Sequence, residues 1–450
     1  MTTFHYAADG GVATITWDQP ETSMNVLTEE GIRELDACVD RALADEAVKS
    51  VILTSAKDDF AGGMDLRVLA GIRVQAEKAA KTGDAPAGGV AGQLFSFVMQ
   101  LHGVLRKIER AGADPKTLKG GKPFIWACPG TAMGIGVEIG LACHRRIAVD
   151  REGAKIGLPE ILVGLFPGAG GTTRLVRMLG LMGASEPLLQ GKTYAPAKAK
   201  NAGLIDEVVE PGHLAARARA WAEAATESDA VKPWDRKGFK MPGGAPYTRE
   251  GFPMFVGGVT MTHGKTQGVY PAAKSMLAAV YEGALVDFDT AIRIEARWFT
   301  SVLMHPSSSA MIRSLFVSKQ ALEKGAVRPK VEPMPVKKLG VLGAGMMGAG
   351  IAQVSAEAGI EVVLIDRDEA AAAKGLATIE GFLDEKVKKR RMDEAARAEV
   401  IERVTATADY GKLAGADLIV EAVFEDPKIK AAVTTQAEAA APDAVFATNT

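Results

Sequence analysis

The chain has 450 residues, 47% of them apolar, enough to bury the cores of two or three domains. Its formal net charge of −2 excludes the positive excess that a nucleic acid or an anionic membrane surface would require of a partner. Residues 1–20 lack the apolar core of a signal peptide, and no charge-free apolar run is long enough to span a bilayer.

Cys38, Cys128 and Cys143 are few, widely spaced and flanked by apolar residues, and read as buried reduced thiols of a cytosolic protein. Short strands alternate with helices through the first half. Val12-Ala13-Thr14-Ile15-Thr16-Trp17 reads as a strand. Thr28 is placed as a helix N-cap, with Glu29 and Glu30 in the first turn and Ile32, Leu35 and Val39 on one face. Val51-Ile52-Leu53-Thr54 is a buried strand leading into the Gly62-Gly63 loop. Residues 68–92, rich in alanine, glycine and charge, read as a loop or weakly ordered helix, and helical periodicity returns at Leu94. Pro123-Phe124-Ile125-Trp126-Ala127-Cys128 is again a strand, and the turn from Gly130 opens the helix that carries Glu138. Repeated strand–turn–helix units predict an α/β architecture. Prolines and glycines between 228 and 268 predict a connecting segment without a long element. Helices are expected at 272–281, 288–302 and 309–325, and Pro329, Pro333 and Pro335 mark a linker into the last domain.

Three segments carry the first set of chemical groups. Phe60-Ala61-Gly62-Gly63-Met64-Asp65-Leu66 is a glycine-rich loop. Gly134-Ile135-Gly136-Val137-Glu138 is a glycine-rich helix start with an acid. Gly157-Leu158-Pro159-Glu160-Ile161 brings a second acid, followed by Phe166-Pro167-Gly168-Ala169-Gly170-Gly171-Thr172. Taken singly, each has a plain reading: a solvated surface glutamate, a turn, a flexible loop. In this joint order they resemble the active site of the enoyl-CoA hydratase (crotonase) family.

The resemblance implies a first domain at 1–228, built as a spiral of strand–strand–helix units rather than a flat doubly wound sheet. It also implies hydration of trans-2-enoyl-CoA to 3-hydroxyacyl-CoA, a step of fatty-acid β-oxidation. That reaction needs a polarised thioester oxygen, a water deprotonated beside the β-carbon and a proton for the α-carbon. By similarity, the amides of Met64 and Ile135 are the oxyanion donors. Glu138 and Glu160 hold the water, and Glu160 delivers the α-carbon proton. Two carboxyls on one water disfavour double ionisation, so one pKa is expected to rise. Family members carry glycine where Ile135 stands; a positive φ there would strain isoleucine and misaim its N–H. Lys57, Arg67 and Lys122 are the cations considered for the CoA phosphates, each with a plain reading as a surface charge.

Further on, Val341 and Leu342 run into Gly343-Ala344-Gly345-Met346-Met347-Gly348, then a helical stretch, then Glu361-Val362-Val363-Leu364-Ile365-Asp366. A glycine fingerprint between strand and helix, with an acid at this distance, points to a dinucleotide whose pyrophosphate sits on the helix N-terminus. Asp366 would bind ribose hydroxyls and repel a 2′-phosphate, so NAD is expected rather than NADP. The run from Asp417 to Asp426 resembles 3-hydroxyacyl-CoA dehydrogenases, which implies Ala422, Glu425 and Lys430 as further cofactor contacts; Glu421 and Lys428 read as structural or solvated.

Both resemblances together are those of the fatty-acid oxidation complex α-subunit family. They imply linker and bridging helices at 229–335, an NAD-binding Rossmann domain at 336–450 and a thiolase β subunit as partner in a hetero-oligomer, in the cytoplasm. The family's alcohol-oxidising Ser, His and Glu do not occur by position within these residues, so the chain is expected to continue beyond Thr450. His144, His263 and His305 are not read as substitutes, and no metal site is expected. An enoyl-CoA isomerase, a hydratase of an unusual acyl-CoA, and a noncatalytic CoA- and NAD-binding scaffold stand as alternatives.

Overall fold

The computed structural model describes residues 2–66, 78 and 88–449. It contains two compact units, Met1–Arg328 and Pro329–Thr450.

In the first unit, alternating residues of β1 (Phe4–Asp9) and β2 (Val12–Trp17) form an antiparallel hairpin around Gly10 and Gly11. Both glycines have positive φ, as a tight hairpin turn requires. The chain continues through β3 (Ser50–Ser55), β4 (Phe124–Cys128), β5 (Ala132–Met133), β6 (Arg145–Val149), β7 (Ile156–Gly157), β8 (Thr193–Tyr194) and β9 (Glu207–Val209). The larger sheet has the order β1-β2-β3-β4-β6-β9 and is parallel from β2 onward; β5, β7 and β8 make a smaller second sheet. Phe4, Trp17, Phe60 and Trp126 pack in series, with ring centroids 5.1, 5.8 and 5.1 Å apart. Helix Ile135–Ala142, buried at every residue, lies against this aromatic core. A Cβ at Gly140 would stand 2.8 Å from the Trp126 ring, so glycine is what lets the helix approach.

Thr28 caps helix Glu29–Ala44 as expected, its hydroxyl accepting the Gly31 amide at 3.1 Å. Most of 68–92 lies outside the described residues; the following helix, Gly89–Arg110, starts five residues before Leu94. The segment expected to hold no long element contains helix Phe252–Thr266. Pro253 occupies its first turn, where a missing N–H costs nothing, and so starts the helix instead of breaking it. Helices Pro271–Gly283 and Phe288–Met304 bury Met276, Val280, Ala296 and Phe299 in the same core as Trp17 and Trp126. Residues 229–328 therefore complete the first unit. The helical stretch that follows, from Pro306 to Glu323, is widened by a π-helical segment, Ile312–Ser318.

The second unit is a five-stranded parallel sheet of β10 (Lys338–Leu342), β11 (Glu361–Ile365), β12 (Val404–Thr407), β13 (Leu418–Glu421) and β14 (Val445–Thr448). The order β12-β11-β10-β13-β14 reverses at β10, the topological switch of a doubly wound fold. Val362 and Leu364 enter one apolar cluster and Val363 and Ile365 another, so both faces of β11 are covered and the strand reads as an unbroken apolar run. Among the described residues, no helix is long and apolar enough to cross a membrane.

Candidate active site and dinucleotide cradle

Gly134 sets the geometry of the first site. Its φ of +54° turns the chain out of β5 into helix Ile135–Ala142, and its carbonyl receives the first helical amides, those of Val137 and Glu138. Its own N–H donates to the Gly157 carbonyl at 3.0 Å, which ties the helix start to the strand just before Glu160. A Cβ at Gly134 would lie 3.0 Å from Glu160 Oε1, and one at Gly171 would lie 2.7 Å from Glu138 Oε1. The glycines thus leave room for the two carboxylates.

Met64, Ile135, Glu138 and Glu160 all line one cavity of about 500 Å³. Glu138, in the first turn of its helix, accepts the amides of Ala169 and Gly171 through Oε1, both at 2.8 Å. Glu160 sits on the 3-10 turn Pro159–Val163, and its buried Oε2 has no hydrogen-bond partner among the described residues. Burial, and then the charge of Glu138, push the Glu160 pKa well above the usual carboxylate range. Burial also raises Glu138, but the Gly171 and Ala169 amides and Arg174 oppose it. Both carboxyls are thus raised by burial, and Glu138 alone of the two has two backbone amides and an arginine opposing the rise.

The two expected oxyanion donors are also brought together. Leu27 bonds to the Gly63 carbonyl and the Asp65 amide, at 3.0 and 3.1 Å. Met64, between them, turns its N–H the other way, and that N–H makes no hydrogen bond among the described residues. Asn25 fixes this loop: its Nδ2 donates to the carbonyls of Trp17 and Phe60, and its carbonyl accepts the Gly62 amide. Ile135 is the first residue of its helix, where an N–H has no intrahelical acceptor. The left-handed residue is Gly134, and Ile135 is not among the positive-φ residues. Isoleucine is therefore unstrained, and its buried side chain joins the core.

Lys122 is not available for CoA, because its ammonium donates to the carbonyls of Ala42, Leu43 and Asp45 and closes the end of helix Glu29–Ala44. Lys57 is held by the Thr22 carbonyl at 2.6 Å and Asp18 at 3.3 Å, and Arg67 lies outside the described residues. The one cationic side chain among the described residues lining the cavity is Lys319, which follows the π-helical segment. His144 is structural, as expected: its Nδ1 accepts the Phe124 amide and its Nε2 faces the Glu109 carbonyl at 3.1 Å.

Three supports of the site were not foreseen. Glu295, from helix Phe288–Met304, is fully buried and accepts the amides of Gly170 and Thr173 and the Thr173 hydroxyl. Burial first, then the Glu138 charge, raise its pKa to about 8. Arg174 forms a buried two-pronged pair with Glu109, at 3.0 and 3.1 Å, and also donates to the Ala169 carbonyl. Lys232 donates to the carbonyls of Leu141 and Cys143, the far end of the helix that carries Ile135 and Glu138. No local pattern marks these residues; only the partners distant in sequence do.

In the second unit, Gly343 has φ +95° and a Cβ there would stand 2.6 Å from the Ala422 carbonyl. At Gly348 a Cβ would fall 1.7 Å from the Gly343 carbonyl, so the loop requires both glycines. Gly345 faces open space and starts helix Met346–Glu357. The amides of Met346, Met347 and Gly348, in its first turn, have no acceptor among the described residues. Asp366, at the end of β11, accepts the Ala344 and Arg367 amides at 2.7 Å beside this loop. An open cradle of amides with an acid next to it fits a dinucleotide. Lys430 pairs with Glu425 at 2.8 Å and with buried Glu421 at 3.2 Å; Glu421 also accepts the Val423 amide and Thr448 hydroxyl, the structural role expected of it.

Residues 115–232 match the enoyl-CoA hydratase/isomerase family, and residues 338–450 match the 3-hydroxyacyl-CoA dehydrogenase NAD-binding domain. The chain is 32% identical to the fatty acid oxidation complex subunit alpha of Shewanella amazonensis, over 98% of this chain and 59% of that one. It is also 32% identical to the proteins of the same name from Shewanella frigidimarina, over 100% of this chain and 60% of that one, and Idiomarina loihiensis, over 98% and 59%. The chain thus spans about three fifths of the length of these relatives. Over that span the chain is similar to fatty acid oxidation complex α subunits, with a segment that matches the enoyl-CoA hydratase/isomerase family followed by one that matches the 3-hydroxyacyl-CoA dehydrogenase NAD-binding domain.

Proposed function

We propose that the first unit hydrates trans-2-enoyl-CoA thioesters in fatty-acid β-oxidation. The observation that carries this reading is the unequal carboxyl pair in one cavity: Glu138 anchored by two amides, Glu160 buried with an unpartnered oxygen. The thioester oxygen lies between the amides of Met64 and Ile135, which stabilise the charge that builds there. A water between the carboxyls attacks the β-carbon as Glu138 takes one of its protons. Glu160 gives its proton to the α-carbon, and the water oxygen stays on the β-carbon as the hydroxyl. The second proton balance closes when Glu138 passes its proton back to Glu160 through the next water. Lys319 faces the CoA phosphates.

In the second unit NAD would be held by Gly343, Gly345, Gly348 and the amides of Met346 and Met347, with Asp366 on the adenosine ribose. When bound, it supplies a hydride acceptor for a 3-hydroxyacyl-CoA. Ala422 lies against Gly343, and Glu425 and Lys430 would be further contacts to the cofactor. The same reading covers a cytoplasmic hetero-oligomer with a thiolase β subunit, in keeping with relatives named as subunits of a complex. The test is product identity in heavy-oxygen water. Hydration gives a 3-hydroxyacyl-CoA carrying one heavy oxygen; an isomerase gives an unlabelled shifted enoyl-CoA, and a scaffold gives no product.

A further inference from the structure

Helix Gly171–Gln190 starts without a cap of its own. Its N-cap residue, Gly170, has φ +93° and no side chain to accept the amides of the first turn. A serine or aspartate could not stand there, because a Cβ would run into Arg174 Nη1, which donates to the Ala169 carbonyl. The acceptor comes instead from helix Phe288–Met304. Glu295 takes the Gly170 amide through Oε1 at 2.6 Å and the Thr173 amide through Oε2 at 2.7 Å. These amides, of the N-cap and third helical residues, are the two that a capping box satisfies within a single helix.

The flanking amides, of Ala169 and Gly171, both go to Glu138 Oε1. Glu138 lines the cavity, and its Oε2 makes no hydrogen bond among the described residues. Without Glu295 the Gly170 amide would be buried and unpaired, and the loop would have to turn to re-pair it. Both bonds that anchor Glu138 hang on that loop. Stability alone is a poor reason for an acid at this place. Glu295 is fully buried, and among the described residues no lysine or arginine pairs with it. A buried carboxyl without a counter-ion is costly, and Glu138 already occupies the same helix end.

We propose that Glu295 is a positioning residue of the hydratase site. By capping helix Gly171–Gln190 from outside, it fixes the Ala169–Gly171 amides so that Glu138 is anchored through Oε1 and keeps Oε2 for the attacking water. The assignment rests on the hydratase reading.

The test combines steady-state kinetics on crotonyl-CoA with amide hydrogen exchange, both on the 450-residue chain. Glu295→Ala should lower kcat about ten- to a hundredfold and leave KM within about twofold. Its Ala169 and Gly171 amides should exchange at least about tenfold faster, while those of β3 and β4 do not. Glu295→Gln keeps the side-chain length and one acceptor oxygen, and should fall between the native chain and Glu295→Ala; where Glu295→Ala does not fold, it carries the same comparison. Asp287→Ala is the control: it removes the N-cap of the same helix, which accepts the Thr290 amide at 2.9 Å, and leaves the loop alone. It should lower the melting temperature, with kcat and loop exchange within about twofold of native. Unchanged kcat in the Glu295 variants, a kcat loss that Asp287→Ala matches, or unchanged exchange at Ala169 and Gly171 would overturn the positioning role. Faster loop exchange in a chain that does not hydrate crotonyl-CoA would keep Glu295 as the anchor of the loop and remove the hydratase. Hydration that survives Glu295→Ala would do the reverse.

Discussion

Glu138 and Glu295 divide three consecutive amides between them. Glu295 Oε1 accepts from Gly170 at 2.6 Å, and Glu138 Oε1 accepts from Ala169 and Gly171 at 2.8 Å on either side. A helix more than a hundred residues downstream thereby sets the loop that holds the proposed catalytic carboxylate. In Glu295→Ala the buried amides of Gly170 and Thr173 lose their acceptor. The variant should lose about 2–5 kcal/mol of stability, read from its denaturant midpoint, with roughly a ten- to hundredfold slower hydration.

That relationship was not legible in the sequence, whereas Glu138 and Glu160 were. The two glutamates sit in local patterns, each beside the glycines or proline that shape its turn, so a short window shows both acid and setting. Glu295 lies on an amphipathic helix whose period says only that one face is buried. Its partners are 122 and 125 residues away. Pro253 shows a different limit: proline marks an interruption, but only the fold tells a helix's first turn from its interior. The strands β2, β3, β4, β10 and β11 were legible because buried parallel strands are short apolar runs between turns.

The Glu160 pKa makes stability fall with rising pH. A carboxyl raised in the folded state binds its proton there more tightly than when unfolded. Its stabilisation is complete below the unfolded pKa of about 4.3 and is lost as pH rises through the folded value. Glutamine cannot titrate, so the native-minus-Glu160→Gln difference in unfolding midpoint should decline steadily above pH 5. A difference that stays level from pH 5 to 9 would contradict the raised pKa. Taking the difference cancels His102 and Lys232, which burial lowers to about 3 and about 7 and which act in the opposite sense.

Ile135 fills core space, and the positive-φ turn beside it belongs to Gly134. Ile135→Gly should therefore cost about 3–5 kcal/mol from the cavity and the helical glycine, and should not speed hydration. A strong rate increase would mean that isoleucine impairs the oxyanion hole.

The proposed NAD cradle of the second unit rests on amides and one acid. Gly348→Ala places a methyl group against the Gly343 carbonyl and should abolish NADH fluorescence enhancement while the first unit's hydration is unchanged. Asp366→Ala should weaken NADH about ten- to a hundredfold, the loss of a charge-assisted pair of ribose hydrogen bonds.

Glu138 and Glu160 are proposed to act together in adding water to a conjugated thioester. The most direct measurement is the decay of enoyl-thioester absorbance when the chain meets a short trans-2-enoyl-CoA, run beside Glu138→Gln and Glu160→Gln. Rapid decay in the native chain, reduced at least a thousandfold in each variant, is the predicted result. Decay that survives either substitution, or a well-folded native chain with no decay, would contradict it.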